Sequence, residues 1–143
     1  MVMVSIDEDR SRARDRRQYM SKTWEAIDAH YHFSDGHLAS IKTYEFYGRM
    51  ARTYQKLTSD AEARAQAAEQ YVNLHVTGTA RECLEQIEAI HRLIDMEQVT
   101  VQFHYGGLPI DESERMMRLF AEQALPILHN DPAFALQGEP VLV

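Results

Sequence analysis

The sequence is poor in cysteine, proline and glycine, with one, four and six of these residues among 143. A single cysteine, Cys83, excludes an intrachain disulfide, so nothing in the sequence indicates an oxidising compartment. No apolar run reaches the ~18 residues that a membrane span requires, and the apolar stretch at the N-terminus is shorter than a signal peptide. We therefore expect a cytoplasmic protein with no membrane partner.

Positive charge is also scarce, because 15 Lys and Arg residues stand against 22 Asp and Glu residues. The net charge of −7 opposes the approach of nucleic acid, so we expect no nucleic-acid partner. Five arginines nevertheless fall within residues 10–17. Glu8 precedes Arg12 by four residues, a spacing that favours an exposed, ion-paired helix over a site for phosphate or nucleic acid.

The rest of the composition, 45% hydrophobic and 26% charged, is that of one globular domain with a core. The first half contains few helix breakers. A β-branched run predicts a strand at residues 2–6. Apolar residues then recur at spacings of three and four, and these predict a helical region over residues 9–70.

The second half alternates between strands and helices. Its pattern predicts a βαβα unit over residues 71–128. The predicted strands are residues 71–76 and 98–104, and the predicted helices are residues 79–94 and 111–128. Residues 130–143 have no periodic pattern, and we expect an irregular tail there.

A βαβα unit has parallel strands and a right-handed crossover, so we predict an α/β fold with about three parallel strands and long helices. Three parallel strands do not close a barrel, which needs about eight. Parallel sheets also have both faces covered, and open edges are costly. The sequence therefore predicts part of a larger sheet, a partial (β/α)8 TIM barrel whose N-terminal strands are missing.

Four segments of the chain, taken in order, carry a resemblance to a known family. They are Val4–Arg14, Val76–Ile87, Val101–Pro109 and Phe120–Leu128. The first resembles the exit of the sixth strand in the bacterial-luciferase-like monooxygenases. The second resembles the opening of that family's seventh helix, the third its eighth strand with a glycine-containing exit, and the fourth the end of its last helix.

This resemblance implies a (β/α)8 barrel of which residues 1–129 are the C-terminal part, followed by the tail at 130–143. It also implies an enzyme that uses reduced flavin and oxygen to oxidise a small organic substrate. The flavin is FMN, or the deazaflavin that some relatives use. The missing strands would come from a complementary N-terminal barrel subunit or from upstream sequence; the other expected partner is a second copy of the chain, in a homo-oligomer.

Two residues at the end of the last predicted strand are candidate catalytic groups, because strand exits carry the catalytic residues of barrels. An imidazole at His104 is suited to hydrogen-bond an oxygenated flavin or to act as a general base. Tyr105 is suited to donate to a flavin ring or to stack beside it. The alternative is that His104 is a solvated residue at a strand end.

Four further residues are candidate cofactor contacts, because glycine-containing loops after the last two barrel strands often bind phosphate. They are Gly78, Thr79, Gly106 and Gly107. The alternative at the first pair is structural: Thr79 and Glu82 have the spacing of a capping box at a helix start.

Other candidate groups favour structural roles. His30, His32 and His37 lie near Asp35, but their spacing crosses a predicted helix end, so we expect solvated histidines and no metal site. Cys83 lies within a predicted helix without a neighbouring histidine, which favours an inert buried thiol.

An aromatic stripe at Tyr44, Tyr47 and Tyr54 follows helical spacing and favours core packing or a subunit interface. This stripe supports a second hypothesis for the function. The chain would then be a non-catalytic module for oligomerisation or binding, derived from a truncated barrel. The first hypothesis remains a component of a flavin-dependent monooxygenase.

Overall fold

A computed structural model describes residues 1–31, 40–57 and 60–135. The chain is mixed α/β, with three short strands among longer helices. The strands are β1 (Val2–Ile6), β2 (Val76–Gly78) and β3 (Val101–Gln102). The helices are α1 (Arg10–Asp15), α2 (Arg17–Tyr31), α3 (Glu45–Leu57), α4 (Ala61–Val72), α5 (Ala80–Ile94), α6 (Ile110–Gln123) and α7 (Leu125–Asn130).

The three strands form one parallel sheet in the order β2-β1-β3. Val4 of the central strand pairs with Val76, and Val2 pairs with Val101. The predicted α/β class and the parallel strands are therefore confirmed. Consecutive strands are neighbours in a (β/α)8 barrel, whereas here β3 lies beside β1 and not beside β2. The two later strands, β2 and β3, therefore lie on opposite sides of β1.

The helical region predicted from residue 9 begins with two separate helices, α1 and α2. The Asp9 carboxylate accepts a hydrogen bond from the backbone N–H of Ser11 at 2.8 Å and begins α1. Arg16 then separates α1 from α2, and its buried side chain turns toward the end of β1. The hydroxyl of Ser5 donates to the carbonyl of Ala13 at 2.8 Å, which fastens α1 to the sheet.

Three predicted boundaries in the second half are wrong. The strand predicted from residue 71 begins at Val76, because α4 continues to Val72 and a turn follows it. The strand predicted over 98–104 is only Val101–Gln102, because β1 pairs with β3 over these two residues. The helix predicted over 111–128 divides at Ala124, two residues before a proline that has no N–H to donate.

The core lies between the sheet and helices α5 and α6. Phe120 of α6 packs edge to face against Phe103, with ring centroids 5.4 Å apart. The buried residues that form this core also include Val4, Ile6, Met20, Val72, Val76, Cys83, Ile87, Met116 and Ala124.

The outer edge of β2 is covered by a side chain of α5. Gln86 accepts a hydrogen bond from the backbone N–H of Thr77 at 3.1 Å and donates one to its carbonyl at 2.9 Å. The amide therefore occupies the positions that a further strand would use, which is one way in which proteins protect sheet edges.

Part of the predicted tail is described. Pro132–Phe134 form a single 3-10 turn, and Phe134 packs against the core. The carbonyl of Ala135 lies 3.1 Å from Nε2 of His91. Residues 136–143 lie outside the described residues. Within the described ranges, no helix has the length and apolar character needed to cross a membrane.

Candidate functional site

The carboxyl ends of the three parallel strands meet at one edge of the sheet. Asp7 follows β1, Thr79 follows β2, and the segment 103–107 follows β3. The backbone N–H of Asp7 donates to the carbonyl of Gly78 at 3.1 Å, so the first two exits are in direct contact. Ligands of parallel α/β sheets bind at this kind of edge, where neighbouring connections leave in different directions.

A buried carboxylate dominates this edge. Asp7 is 3% exposed and Arg16 is 6% exposed. Nη2 of Arg16 lies 2.8 Å from Oδ2 of Asp7, and Nη2 of Arg115 lies 2.6 Å from the same oxygen. A buried carboxylate is tolerated when it is paired, and the two guanidinium groups supply this pairing for Asp7.

A second carboxylate, Glu112, extends the cluster. Its Oε2 accepts from Nε of Arg16 at 2.8 Å and from Nη2 of Arg115 at 2.9 Å. Arg12 lies 3.7 Å from both Asp7 and Glu112, which is an ion pair but not a hydrogen bond. We call these five residues the Asp7 cluster; its three guanidinium groups face two carboxylates.

A small cleft of about 260 Å³ opens beside the Asp7 cluster. Its walls come from α1, α2 and the start of α6. They include Arg12, Arg16, Tyr19, Leu108, Pro109 and Glu112. The side chain of Arg12 is half exposed there, and within the described part of the chain it makes no hydrogen bond. Arg12 is therefore the cation of the cluster that is best able to meet a ligand.

His104 lies at the exit of β3 but outside the wall of this cleft. Its side chain is exposed, and Nδ1 lies 3.2 Å from the hydroxyl of Ser113. That hydroxyl also lies 3.2 Å from the carbonyl of Pro109. The imidazole is thus hydrogen-bonded to the first turn of α6.

Tyr105 is a buried residue with a committed hydroxyl. Its side chain is 3% exposed, and the hydroxyl donates to the carbonyl of Val4 at 3.0 Å. Burial raises the pKa of Tyr105 to about 12. The phenol therefore stays protonated near neutral pH and joins the exit of β3 to the central strand.

Both glycines after Tyr105 have left-handed backbone, with φ of 58° at Gly106 and 76° at Gly107. A Cβ at Gly106 would lie 1.8 Å from the carbonyl oxygen of Tyr19. Gly107 has nothing within 4 Å of such an atom. The close approach of two backbone segments thus explains the first glycine, and the turn geometry explains the second.

Gly78 is the last residue of β2, and Thr79 is the N-cap of α5. The backbone N–H of Thr79 donates to Oε2 of Glu82 at 2.9 Å, and the Thr79 hydroxyl accepts from the N–H of Glu82, so the predicted capping box is confirmed. The pKa of Glu82 is lowered, first by the Thr79 backbone bond, and Arg10 forms an ion pair with the same carboxylate. These contacts give Thr79 a structural role that needs no cofactor.

The structure therefore brings the predicted site residues to one edge but gives most of them structural partners. Sequence reasoning missed the Asp7 cluster, which joins residues 7 to 16 with residues 112 to 115. The arginine run was interpreted as exposed, and Arg16 is instead buried. Two signals point to the cluster: an acidic residue directly after a strand, and Glu112 and Arg115 in the helix that follows the last strand.

The other predicted groups are placed as follows. His30 is exposed on α2, whereas His32, Asp35 and His37 lie outside the described residues. The described ranges contain no group of three or more His, Cys, Asp or Glu residues suited to hold a metal ion. Cys83 is buried, and burial raises the pKa of its thiol to about 12, as expected of an inert cysteine.

The aromatic stripe has a mixed outcome. Tyr44 and Tyr47 are 44% and 42% exposed, so they are not core residues of the single chain. The side chain of Tyr54 lies outside the described residues. Nothing in the described chain opposes a role of the first two at an interface.

No protein-family model matches the chain, and no curated protein or solved structure shows a significant similarity to it.

Proposed function

We propose that the chain is the C-terminal part of a luciferase-like, flavin-dependent monooxygenase that oxidises a small organic substrate, with further strands supplied by a partner or by a longer chain. The observation that supports this proposal is the meeting of three parallel strand exits at one charged edge, which three of the four segments resembling that family cross. Parallel α/β enzymes place their reactions at this edge.

The charges at this edge suit one end of FMN. Arg12 has free donors beside a cleft, and a guanidinium group binds phosphate through charge-assisted hydrogen bonds. The cleft of about 260 Å³ is below the 300–1,000 Å³ of typical ligand pockets. Arg12 and Arg16 share the lining of the cleft with Asp15 and Glu112. In this proposal Arg12 alone meets the phosphate end, and the three-ring system binds to surfaces supplied by the missing strands.

The remaining residues of the edge have supporting roles in this proposal. Asp7 and Glu112 hold Arg16 and Arg115 in fixed positions, which keeps the positive charge of the edge in place before a ligand arrives. The Tyr105 hydroxyl fixes the loop after β3 against β1. Reduced flavin, when bound, supplies the electrons for oxygen activation, and the protein supplies orientation and shielding from water.

Of the two outer edges of the described sheet, the edge of β3 is the one open to the completing strands in this proposal. The Gln86 amide occupies the outer edge of β2 at Thr77. The outer side of β3 carries no comparable cap among the described residues. We therefore expect a partner strand to pair with Val101–Gln102.

Binding of FMN to the purified chain tests the proposal. Sedimentation velocity, followed at protein and flavin absorbance, is expected to show flavin moving with the protein. Arg12→Gln should weaken FMN binding about tenfold, because one charged hydrogen bond is lost. Arg118→Gln, on an arginine paired with Glu114 outside the cleft, should bind FMN as the wild type does.

Two further ligands sharpen this experiment. Riboflavin lacks the phosphate, so its affinity should be weak and equal in the wild type and in Arg12→Gln. The deazaflavin cofactor, measured in the same way, decides between the two flavin classes. Flavin that never moves with the wild-type protein would contradict the proposal.

One observation favours the second candidate, a non-catalytic oligomerisation or binding module. The hydroxyl of Tyr105 and the backbone at Gly106 are both engaged in packing, although these residues were expected to serve a reaction. A module of this kind should sediment as a compact oligomer without flavin. The same sedimentation experiment therefore separates the two functions.

A further inference from the structure

A partly open cavity of about 320 Å³, lined mainly by apolar residues, lies at the end of the sheet opposite to the Asp7 cluster. It is placed between α5, α6, α7 and the connection that leads into β3. Its apolar wall includes Ile87, Met96, Val99, Val101, Phe120 and Leu128. None of the residues of the Asp7 cluster lines it. The cavity is thus a separate feature from the site proposed above.

The cavity lies at the margin of the hydrophobic core. Ile87 and Phe120 belong to the buried core, and Met96, Val101 and Leu128 are only partly buried around them. Protein interiors are packed as densely as organic crystals, with few voids larger than a water molecule. The apolar side of the cavity offers water few hydrogen-bond partners, and closed apolar cavities of about half this size admit small apolar molecules. The space therefore suits an apolar occupant.

A few polar groups stand among these apolar residues. Nε2 of His91 lies 3.1 Å from the carbonyl of Ala135, which only accepts, so this nitrogen is the donor of that hydrogen bond. Glu97, Gln98 and His129 complete the polar part of the lining. The carboxylate of Glu97 in the lining disfavours an anionic ligand in this cavity.

We propose that this cavity is a binding site for a neutral, mainly apolar small molecule with one hydroxyl or carbonyl group. Its apolar part has about eight to twelve carbons, from comparison with the ~150 Å³ cavity that holds benzene. Apolar walls with a few polar groups are the usual composition of small-molecule sites. The site stands independently of flavin binding.

Titration of the full chain with 1-octanol, followed by NMR, tests the proposal. The methyl resonances of Ile87, Met96 and Leu128 should shift and reach saturation, whereas the methyl resonance of Met20, which is buried elsewhere in the core, should not shift. Octanoate has the same chain with a negative charge and should bind at least about tenfold more weakly. Equal affinity of the two probes would overturn the neutral class, and an absence of saturable shifts would overturn the site.

Two variants that fill the cavity complete the test. Val99→Phe should weaken octanol binding at least about tenfold, and Met96→Trp offers the same obstruction from another wall. Leu93→Phe is the control, because Leu93 is 83% exposed and lies outside the lining. Unchanged binding in a folded filling variant would overturn the proposal. NMR contacts between Leu128 in the lining and Leu142 near the C-terminus, observed in the protein without octanol, would also overturn the proposal. The C-terminal end of the chain would then be the occupant of the cavity.

Discussion

At the scale of single residues, the position of Asp7 organises the charged edge of the sheet. It directly follows the central strand, so its carboxylate stands where the connections to both neighbouring strands leave. Arg16, between α1 and α2, contacts this carboxylate, and so does Arg115 of α6. One carboxylate therefore joins the first and last described parts of the chain.

Replacing Asp7 by asparagine should destabilise the protein strongly. The change keeps the shape of the side chain but leaves the buried guanidinium of Arg16 with one carboxylate fewer. Breaking a buried ion pair from one side costs about 3–5 kcal/mol of the free energy of unfolding. Urea unfolding measures this loss. Glu114→Gln breaks an exposed pair with Arg118 and should be indistinguishable from the wild type; comparable losses in both variants would contradict this account.

Tyr105→Phe removes only a hydroxyl, and it should lower the free energy of unfolding by about 1–2 kcal/mol near pH 8, because the Val4 carbonyl loses its buried donor. The difference should depend on pH. The unfolded phenol loses its proton near pH 10, whereas the folded one has a pKa of about 12. The folded state thus favours the protonated phenol, and that stability is complete below about pH 10 and lost as the pH rises toward 12.

Urea unfolding of both proteins at several pH values measures this effect. The advantage of the wild type over Tyr105→Phe should shrink above about pH 10. Tyr47→Phe is the matched control, because Tyr47 is 42% exposed and should show no comparable change. A gap that stays constant to pH 11 would show that the Tyr105 phenol is not buried as described.

At the scale of elements, the loop after β3 is determined by contact with α2. Gly106→Ala should destabilise the protein more than Gly107→Ala, although both residues have left-handed backbone. The Gly107 variant carries only the conformational cost of about 1–2 kcal/mol. The Gly106 variant adds a clash with the Tyr19 carbonyl, a further cost of about 1–3 kcal/mol. Thermal and urea unfolding of the pair measure the difference, and equal losses would contradict the close approach.

Local signals in the sequence predicted several elements correctly. The β-branched run at residues 2–6 forms β1, and the capping box at Thr79 begins α5. Both depend on neighbouring residues alone, so the sequence carries them directly. The strand predicted to begin at Tyr71 was wrong because its start depends on a distant part of the chain. Pairing with β1 over three residues decides where β2 begins.

The candidate site was less predictable than the elements. Its strand exits follow from the βαβα pattern, but the Asp7 cluster depends on the strand order. The sequence pattern indicated three parallel strands without indicating that β3 pairs with β1. Only that pairing brings Arg115 within 2.6 Å of a carboxylate 108 residues earlier. Contacts over such separations leave no periodic signal in a single sequence.

At the scale of the whole molecule, helix α3 exposes a cluster of aromatic side chains. Helix α3 buries Gly48 and Ala51 and exposes Phe46 and Met50, at 57% and 51%. Tyr44 and Phe46 each pack against Tyr47. About half of each of four large side chains is exposed, which leaves on the order of 400 Å² of apolar surface. Patches of this size on monomers are often functional.

The charge around this patch favours a second copy of the chain as its partner. Residues 40–57 carry four cations, Lys42, Arg49, Arg52 and Lys56, against Glu45, a net charge of +3 in a chain of −7. The rest of the chain is correspondingly acidic and complements the helix. A patch of this size is about half of the ~800 Å² that each partner buries in a stable interface. The expected dimer is therefore weak and dissociates on dilution and in high salt.

Sedimentation velocity over a range of protein concentrations measures this association. The wild type should shift from monomer to dimer as its concentration rises, and Phe46→Ser combined with Met50→Ser should remain monomeric. Leu93→Ser combined with Ile94→Ser removes two equally exposed apolar residues at the end of α5 and should dimerise as the wild type does. If both double variants associate alike, the acidic surface and the α3 patch do not meet, and the exposed aromatic side chains must serve a partner other than this chain.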